Sequence, residues 1–429
     1  MKIHPVYTAV FNHYSYCITH NHEAVVIDPV RDTASYSSIA DTDKSEIRNV
    51  LETALHDFYV TGNRELQRQY GAQIHVPEGA SVSGKSHNPA SGDCIRLGEY
   101  ILEYAALPES GKCIYILKTS DLQPLGLFTG EHFLSEILQK QLAEIPLYPG
   151  LGAGNSRNFS PGMPLKNYPM NDVHEQQIHN PVPDDYAENL MEMNSKGPSA
   201  ISEITGKSKA FSADELAEEI KNGTLVIDTR EPENFGTCFI PGSLSLPLNG
   251  KPGLCIPFLL DADRRVAIVS EPGTEMSGIN MLLNAGVQQI AGWLQGGMNT
   301  WTAAGKKTDM IICIDAEEFL LDHTYSSAKA IDARNADQFA KGSIPDAVNV
   351  PLAMLSEALS KAGTEEEIHV FSQSGCRSIT LASWLKMRGY PLVKNVLGGY
   401  ASILQIQMPE VLPYKGSGDS AAGEFDLSL

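Results

Sequence analysis

The sequence lacks long apolar runs, and this absence excludes one large class of protein. No stretch of the 429 residues approaches the roughly 18 consecutive apolar residues that a membrane-spanning helix requires. The segment from Met1 to His20 is interrupted by polar residues and has no continuous apolar core, so we expect no signal peptide. The sequence therefore predicts no membrane partner.

Basic residues are also scarce. Lys and Arg number 32 against 52 Asp and Glu, which gives a formal net charge of −20 at pH 7. A surface of this sign repels polyanions at long range, so nucleic acid is not an expected partner. Hydrophobic residues make up 42% of the chain and charged residues 20%, which is typical of folded globular domains.

Cysteines are few and scattered. The seven cysteines form an odd set without a Cys-x-x-Cys pair, which argues against a disulfide framework and against a zinc ribbon. We therefore expect a reduced, cytoplasmic setting. All but Cys376 lie mostly in apolar stretches and are predicted to be buried as small hydrophobic residues: Cys17, Cys94, Cys113, Cys238, Cys255 and Cys313.

An internal repeat organises the second half of the chain. An offset of 104 residues separates Asp228 from Asp332 and Ile240 from Ile344, and an offset of 102 separates Gly296 from Gly398. An offset this steady indicates a duplicated domain. The repeated segments are Val226–Arg230 with Ala330–Arg334, Ile240–Gly242 with Ile344–Asp346, and Gly296–Gly297 with Gly398–Gly399.

Helices and strands alternate within each copy, and this order favours a parallel sheet with helices on both faces. Leu216 and Ile220 have helical spacing, and apolar runs predict strands at Leu225–Asp228, Arg264–Val269 and Ile368–Phe371. Ser378 is predicted to cap a helix that runs to about Met387.

The first 200 residues have a different pattern. Apolar runs at Ser15–Ile18 and Ala24–Ile27 predict a hairpin, and Cys94–Lys118 is predicted to be rich in strands. The segment Leu151–Pro183 has no period and is predicted to be a long ordered loop.

Motifs in both halves carry a resemblance. The repeated Asp-x-Arg, Ile-Pro turn and closing Gly-Gly, together with the loop Ser372–Ser378, resemble rhodanese domains, a family of sulfur-transfer enzymes. The first 200 residues resemble the metallo-β-lactamase fold of persulfide dioxygenases. The motifs that carry this second resemblance are Ile27–Asp32, Leu51–Thr53, Thr61–Leu66, Leu127–Gly130 and Tyr148–Gly150.

The resemblance implies an α/β multidomain chain: an αββα metallo-β-lactamase-like sandwich followed by two rhodanese-like α/β domains with parallel sheets. The expected divisions are residues 1–205, 206–306 and 307–414, with a flexible tail at 415–429. Related fused proteins commonly self-associate, so a homo-oligomer is expected.

The second rhodanese-like loop lacks the reactive atom that the resemblance requires. It consists of Ser372, Gln373, Ser374, Gly375, Cys376, Arg377 and Ser378. Ser372 stands where the family has its cysteine, and a serine oxygen cannot store sulfur as a persulfide. Arg377 and the start of the following helix favour an anion. Cys376 lies near the same positive charges, so we expect the pKa of its thiol to be lowered. Cys376 is therefore the candidate catalytic residue.

The first rhodanese-like loop departs further from the family pattern. Ser270 replaces the cysteine, Gly273 remains, and Glu275 replaces the arginine. Together with Glu271, this places two carboxylates where amide groups would otherwise attract an anion. We expect this loop to be inert.

The metal site that the dioxygenase resemblance implies has lost most of its ligands. The two histidines and one aspartate that hold iron in the family correspond to Ala54, Ser110 and Glu131. His56 is the surviving histidine of its motif. Further motif positions are occupied by Phe58, Tyr59 and Leu151. One carboxylate does not hold iron alone, so we expect no metal and no cofactor.

These losses favour a non-catalytic, sulfur-related protein that binds a small anion, a thiol or persulfide ligand, or a partner. Two enzymatic alternatives stay open. One is sulfur transfer through Cys376, and the other is a hydrolase or dioxygenase with a metal site rebuilt from His56, Asp57, Glu131 and His132.

Overall fold

The computed structural model describes residues 1–84, 86–107, 111–130, 146–149, 182–250, 252–326, 328–355 and 367–406. The chain divides into two compact units. The first comprises Met1–Glu203 together with Leu282–Gly286, and the second comprises Ile204–Met281 and the chain from Val287 onward. The expectations for residues 151–181 and for the tail lie outside the described residues, and the predicted domain boundaries stay predictions.

The first unit contains two β-sheets. The strands of one sheet, in spatial order, are β1 (Lys2–Thr8), β2 (His13–His20), β3 (Glu23–Ile27), β4 (Glu46–Leu51), β5 (Gln73–His75) and β6 (Ser86–His87). The strands of the other are β7 (Cys94–Leu97), β8 (Tyr100–Leu107), β9 (Lys112–Lys118), β10 (Pro124–Gly130) and β11 (Leu147–Pro149). The described helices are a 3-10 turn at Ala9–Phe11, α1 (Ala34–Thr42), α2 (Asn63–Tyr70) and α3 (Asp184–Lys196). A further helix, α4 (Ile201–Thr205), begins in this unit and ends in the second.

The two sheets pack face to face because their strands alternate as a sandwich requires. On β3, Val25 and Ile27 join the core between the sheets, whereas Ala24 and Val26 belong to the core on the opposite face, with Tyr36 of α1. Neighbouring strand residues point to opposite faces, so one short strand serves both cores. The predicted hairpin of β2 and β3 and the predicted sandwich are confirmed.

One strand pair places polar residues at a common edge. Strands β3 and β4 are parallel, with Ile27 opposite Leu51. Asp28 and Glu52 follow these two residues directly. The carboxyl ends of parallel strands lie at the same edge of a sheet, so the topology brings both carboxylates together.

The second unit contains two five-stranded sheets, each parallel throughout its described pairings. The first has the order β12 (Lys209–Phe211), β16 (Ile290–Leu294), β15 (Val266–Val269), β13 (Leu225–Asp228) and β14 (Leu244–Ser245). The second has the order β17 (Ile312–Ile314), β21 (Val393–Val396), β20 (Ile368–Phe371), β18 (Lys329–Asp332) and β19 (Val348–Asn349). The predicted parallel sheets are confirmed, although β15 begins at Val266 instead of Arg264.

Helices flank both sheets. In the first copy they are α5 (Ala213–Lys221), α6 (Pro232–Thr237), a 3-10 turn at Pro252–Leu254, α7 (Ile256–Leu259), α8 (Glu275–Asn284) and α9 (Gly297–Ala303). In the second they are α10 (Ala316–Tyr325), α11 (Ala336–Ala340), a 3-10 turn at Leu352–Met354, α12 (Cys376–Met387) and α13 (Gly399–Ile403). Among the described residues, no helix has the length and apolar character that crossing a bilayer would need.

The Asp-x-Arg motif has the same local structure in both copies. In each, the arginine turns back on its own aspartate: the Arg230–Asp228 pair and the Arg334–Asp332 pair both have an N–O distance of 2.7 Å. Each guanidinium also donates to a backbone carbonyl eight residues further along, at 2.7 Å in both cases. The motif therefore holds the turn after the second strand of each copy, which is a structural role.

The predicted burial of the cysteines is correct for two of them. Cys17 and Cys113 are buried, but Cys94 is exposed. Cys94 begins the edge strand β7, where its side chain alternates away from buried Ile95 and Leu97. Cys238, Cys255 and Cys313 are partly exposed.

Candidate functional site

The loop after β20 is built around the hydroxyl of Ser372. This side chain is 1% exposed, and its Oγ accepts hydrogen bonds from the amides of Gly375 at 3.2 Å and Ser378 at 3.3 Å. Ser372 Oγ in turn donates to Ser378 Oγ at 3.4 Å. The loop amides therefore converge on the side chain at position 372, where the family pattern has sulfur.

The glycine pair that closes the second copy, Gly398–Gly399, packs against the backbone of this loop. A Cβ atom on Gly399 would lie 2.1 Å from the carbonyl oxygen of Ser372, and the φ angle of Gly399 is +58°. The amide of Tyr400 donates to that same carbonyl at 2.7 Å. Only glycine permits this approach, which explains why the motif accompanies the loop.

The helix after the loop begins earlier than predicted. Gly375, with φ of 103°, is the N-cap, and α12 starts at Cys376 instead of after Ser378. Ser378 lies inside the first turn, where its hydroxyl donates to the Gly375 carbonyl at 2.9 Å. The sequence rule failed because a glycine in the left-handed region replaced the expected side-chain cap.

The thiol of Cys376 contacts a residue of the first copy and also interacts with Ser374 of its own loop. Its Sγ donates to Asn249 Oδ1 of the first copy at 3.6 Å, and Gly250 lies against its Cβ. Burial raises the pKa of Cys376, and the carboxylate of Glu231 adds to the rise. A hydrogen bond with Ser374 and the charge of Arg377 oppose it but do not reverse the shift. The expected lowering of this pKa is therefore wrong.

Arg377 carries a half-buried positive charge beside the loop. Its guanidinium donates to two neutral amide oxygens, Asn335 Oδ1 at 3.1 Å and Gln338 Oε1 at 2.9 Å. In the part of the chain that the structure describes, no carboxylate forms an ion pair with Arg377, and the backbone amides of Cys376 and Arg377 donate no hydrogen bond. Two available amides at a helix N-terminus and a nearby cation suit a small anion.

The equivalent loop of the first copy satisfies its own donors. The amide of Gly273 donates to Glu275 Oε2 at 2.9 Å, and Ser270 Oγ is hydrogen-bonded to Thr229 Oγ1 at 2.7 Å. Glu271 accepts from Asn234 at 2.9 Å. The carboxylate of Glu275 therefore already accepts one loop amide, and its negative charge repels an anion.

Aromatic rings surround the position of the family metal site. Ala54 is buried at 6% exposure and offers no donor atom. The ring of Tyr59 stacks on His56 with a centroid distance of 4.5 Å, and it also contacts Phe58 at 4.7 Å and His13 at 4.7 Å. Ser110, Glu131 and Leu151 lie outside the described residues. Because a methyl group and aromatic rings replace ligands here, the residues present at these motif positions do not fit the family's iron.

A separate cluster joins His56 to two residues that carried no role in the sequence analysis. His56 Nε2 lies 3.3 Å from Asp28 Oδ1 and 3.3 Å from Glu52 Oε2, and all three side chains are buried. Burial raises the pKa of Glu52. Burial also opposes ionisation of Asp28, but His56 and the donors of Thr53 outweigh it and lower the pKa of Asp28. Carboxylates directly after two adjacent parallel strands were the signal in the sequence.

Comparison with known proteins identifies the domains of the chain. The model of the rhodanese-like domain family matches residues 212–304 and 316–405, which together make up less than half of the chain. A sulfurtransferase from Allochromatium vinosum is 29% identical over 83 residues, which are 19% of this chain and 78% of that protein.

Two solved structures also align with this chain. A metallo-beta-lactamase from Staphylococcus aureus aligns with a TM-score of 0.55 at 20% identity, covering 68% of this chain and 98% of that one. ETHE1 from Myxococcus xanthus aligns with a TM-score of 0.33 at 18% identity, covering 47% of this chain and 95% of that one. The chain therefore carries two rhodanese-like domains after an N-terminal domain of metallo-β-lactamase-like fold.

Proposed function

We propose that this chain is a binding protein of sulfur metabolism that catalyses neither sulfur transfer nor persulfide oxidation. Its ligand is a small anion, either an oxyanion or the charged end of a persulfide, held at the loop Ser372–Ser378. The arrangement of Ser372 carries the proposal, because the amides of Gly375 and Ser378 converge on an oxygen at 3.2 and 3.3 Å. The hydroxyl oxygen of Ser372 preserves the hydrogen bonds that shape the loop, but it does not supply the sulfur nucleophile.

The charges around this loop support an anion as its ligand. Arg377 is half-buried and hydrogen-bonded to neutral amides, so its charge is not cancelled by a direct ion pair in the described structure. The first turn of α12 adds the partial positive charge of its amide groups. Protein surroundings have a lower dielectric constant than water, which strengthens the attraction of Arg377 and of the helix N-terminus for an anion at the loop.

Thiosulfate is a suitable test ligand, since it has the charge of an oxyanion and a terminal sulfur. We expect calorimetry to detect thiosulfate binding to the wild-type protein and Arg377→Gln to weaken it by about tenfold, the loss of a charged hydrogen-bonding partner. Arg388→Gln is the matched control. Arg388 lies at the other end of α12 over the ring of Trp384, so its loss should leave the affinity unchanged.

Equal thiosulfate affinity in the wild type and in folded Arg377→Gln would refute binding at this loop. The non-catalytic part of the proposal has its own test, which is oxygen consumption with glutathione persulfide as substrate. We expect none above the buffer rate. Turnover would show that the N-terminal domain keeps a working centre.

Sulfur transfer through Cys376 is the second candidate, because its thiol is only partly buried and begins a helix. The raised pKa and the neighbouring Glu231 work against it, since a thiol must ionise to accept sulfur. A persulfide on Cys376 that cyanide removes would favour this candidate. The rebuilt hydrolase site with Glu131 and His132 depends on residues outside the described part of the chain.

A further inference from the structure

Two clusters in the described structure each bring one histidine and two carboxylates together. One consists of Asp28, Glu52 and His56, and the other consists of Asp322, Glu367 and His369. In the second cluster Lys394 Nζ lies 2.9 Å from Asp322 and 2.8 Å from Glu367. A permanent cation therefore already balances those carboxylates, which are partly exposed as well.

The first cluster has no such cation. Among the described residues, the ion-pairing partner of both Asp28 and Glu52 is His56, and no lysine or arginine pairs with either. All three side chains are buried. Two buried carboxylates are costly unless positive charge compensates them, so this cluster must hold either protons or a metal ion.

The distances favour a metal ion. His56 Nε2 forms a hydrogen bond of 3.3 Å with Asp28 Oδ1 and lies 3.3 Å from Glu52 Oε2. Both distances exceed the about 2.7–2.9 Å of a charge-assisted N–H···O hydrogen bond. Donors at about 2.0–2.2 Å from a tetrahedral ion are separated from each other by about 3.3–3.6 Å. The three donor atoms all lie within 4.8 Å of one another.

The surrounding hydroxyls hold the cluster in a ligating arrangement. Thr53 Oγ1 donates to Asp28 Oδ2 at 2.7 Å, and Thr61 Oγ1 donates to Glu52 Oε1. Asp28 Oδ1 also accepts the amide of Thr53 at 2.7 Å, and the other oxygens, Asp28 Oδ1 and Glu52 Oε2, lie toward His56. Among the described residues, buried Glu52 Oε2 has no hydrogen-bond donor within bonding geometry. In metal sites, hydrogen-bonding groups around the ligands hold the ligands in their orientation in this way.

We propose that Asp28 Oδ1, Glu52 Oε2 and His56 Nε2 bind one divalent first-row cation, such as Zn²⁺ or Mn²⁺. One imidazole with two carboxylates suits these ions better than Mg²⁺ or Ca²⁺, which prefer oxygen alone. The site uses a different donor set from the family's iron position. Its donors are buried and the ring of Tyr59 stacks on the imidazole, which limits the access of a substrate to the ion.

The test is the metal content of the full-length protein. Wild type, Glu52→Gln and Glu367→Gln are each produced in medium supplemented with Zn²⁺ or Mn²⁺, dialysed against a chelator and measured by plasma mass spectrometry. We expect about one equivalent of metal ion per chain in the wild type, as a single site holds. Glu52→Gln should lose it and Glu367→Gln, the matched change in the cluster that Lys394 balances, should keep it.

A second variant and a second readout separate metal loss from misfolding. His56→Gln should also lose the metal, and circular dichroism shows whether each variant is folded. Growth with Co²⁺ adds a direct signal, because cobalt bound to nitrogen and oxygen ligands absorbs visible light. Wild-type protein without any bound metal, or folded Glu52→Gln with a full complement, would overturn the proposal. Thiosulfate binding at the second loop is measured separately and is independent of either result.

Discussion

The two rhodanese-like loops have the same backbone plan but opposite electrostatics. In the first, the carboxylate of Glu275 accepts the amide of Gly273 at 2.9 Å. In the second, Arg377 replaces that carboxylate and donates to neutral side chains at 3.1 and 2.9 Å. The residue two positions after the glycine that both loops share thus differs in charge, and we expect this difference to decide which loop accepts an anion. Both loops lack the sulfur atom, but only the first has lost the binding charge.

The largest expected effect comes from returning sulfur to each loop. Ser372→Cys places a thiol where the amides of Gly375 and Ser378 converge, and these donors favour the thiolate. We expect mass spectrometry after thiosulfate treatment to show a cyanide-removable sulfur on nearly every chain of this variant.

Ser270→Cys is the matched change in the first loop. The carboxylate of Glu275 opposes both the thiolate and the incoming anion there, so we expect little labelling. Equal labelling of the two variants would contradict the electrostatic difference between the loops.

A smaller effect should follow from changing the charge of the first loop. In the Arg377→Gln background, where binding at the second loop is weakened, Glu275→Arg removes the internal carboxylate and supplies a cation. We expect thiosulfate affinity to recover by about tenfold, the value of one charged contact. Glu271→Gln in the same background removes a charge held by Asn234 and should recover less. No recovery with Glu275→Arg would mean that more than this side chain closes the loop.

The smallest effect concerns the thiol beside the second loop. The pKa of Cys376 is raised above the ordinary value of 9.0, so its thiolate forms only as the pH rises above that value. Alkylation of Cys376, followed by peptide mass spectrometry, should therefore be slow at neutral pH and increase through alkaline pH. Glu231→Gln should move the profile toward lower pH, because one of the raising charges is removed. A profile centred well below 9.0 would restore the reactive-thiol hypothesis.

Regular features of the fold were predictable from the sequence. The steady repeat offset predicted two copies, and Asp228 and Asp332 pair with their arginines in the same way in both. The strands Leu225–Asp228 and Ile368–Phe371 were predicted with correct bounds because each is a short apolar run between turn signals. Local pattern determines such elements.

Side-chain direction was not predictable, because distant residues determine it. The Cys376 thiol points toward Asn249, a residue 127 positions away. No local pattern around Cys376 contains that information. The convergence of Asp28 and Glu52 likewise depends on the parallel pairing of β3 with β4. That pairing could have been suspected from two apolar runs that each end in a carboxylate.

The most direct test of the account is mass spectrometry of the wild-type protein after treatment with thiosulfate or glutathione persulfide. We expect no chain to carry an added sulfur that cyanide removes, because Ser270 and Ser372 occupy both transfer positions and Cys376 stays a protonated thiol. An added, cyanide-sensitive sulfur on Cys376 would contradict it and make the protein a sulfurtransferase.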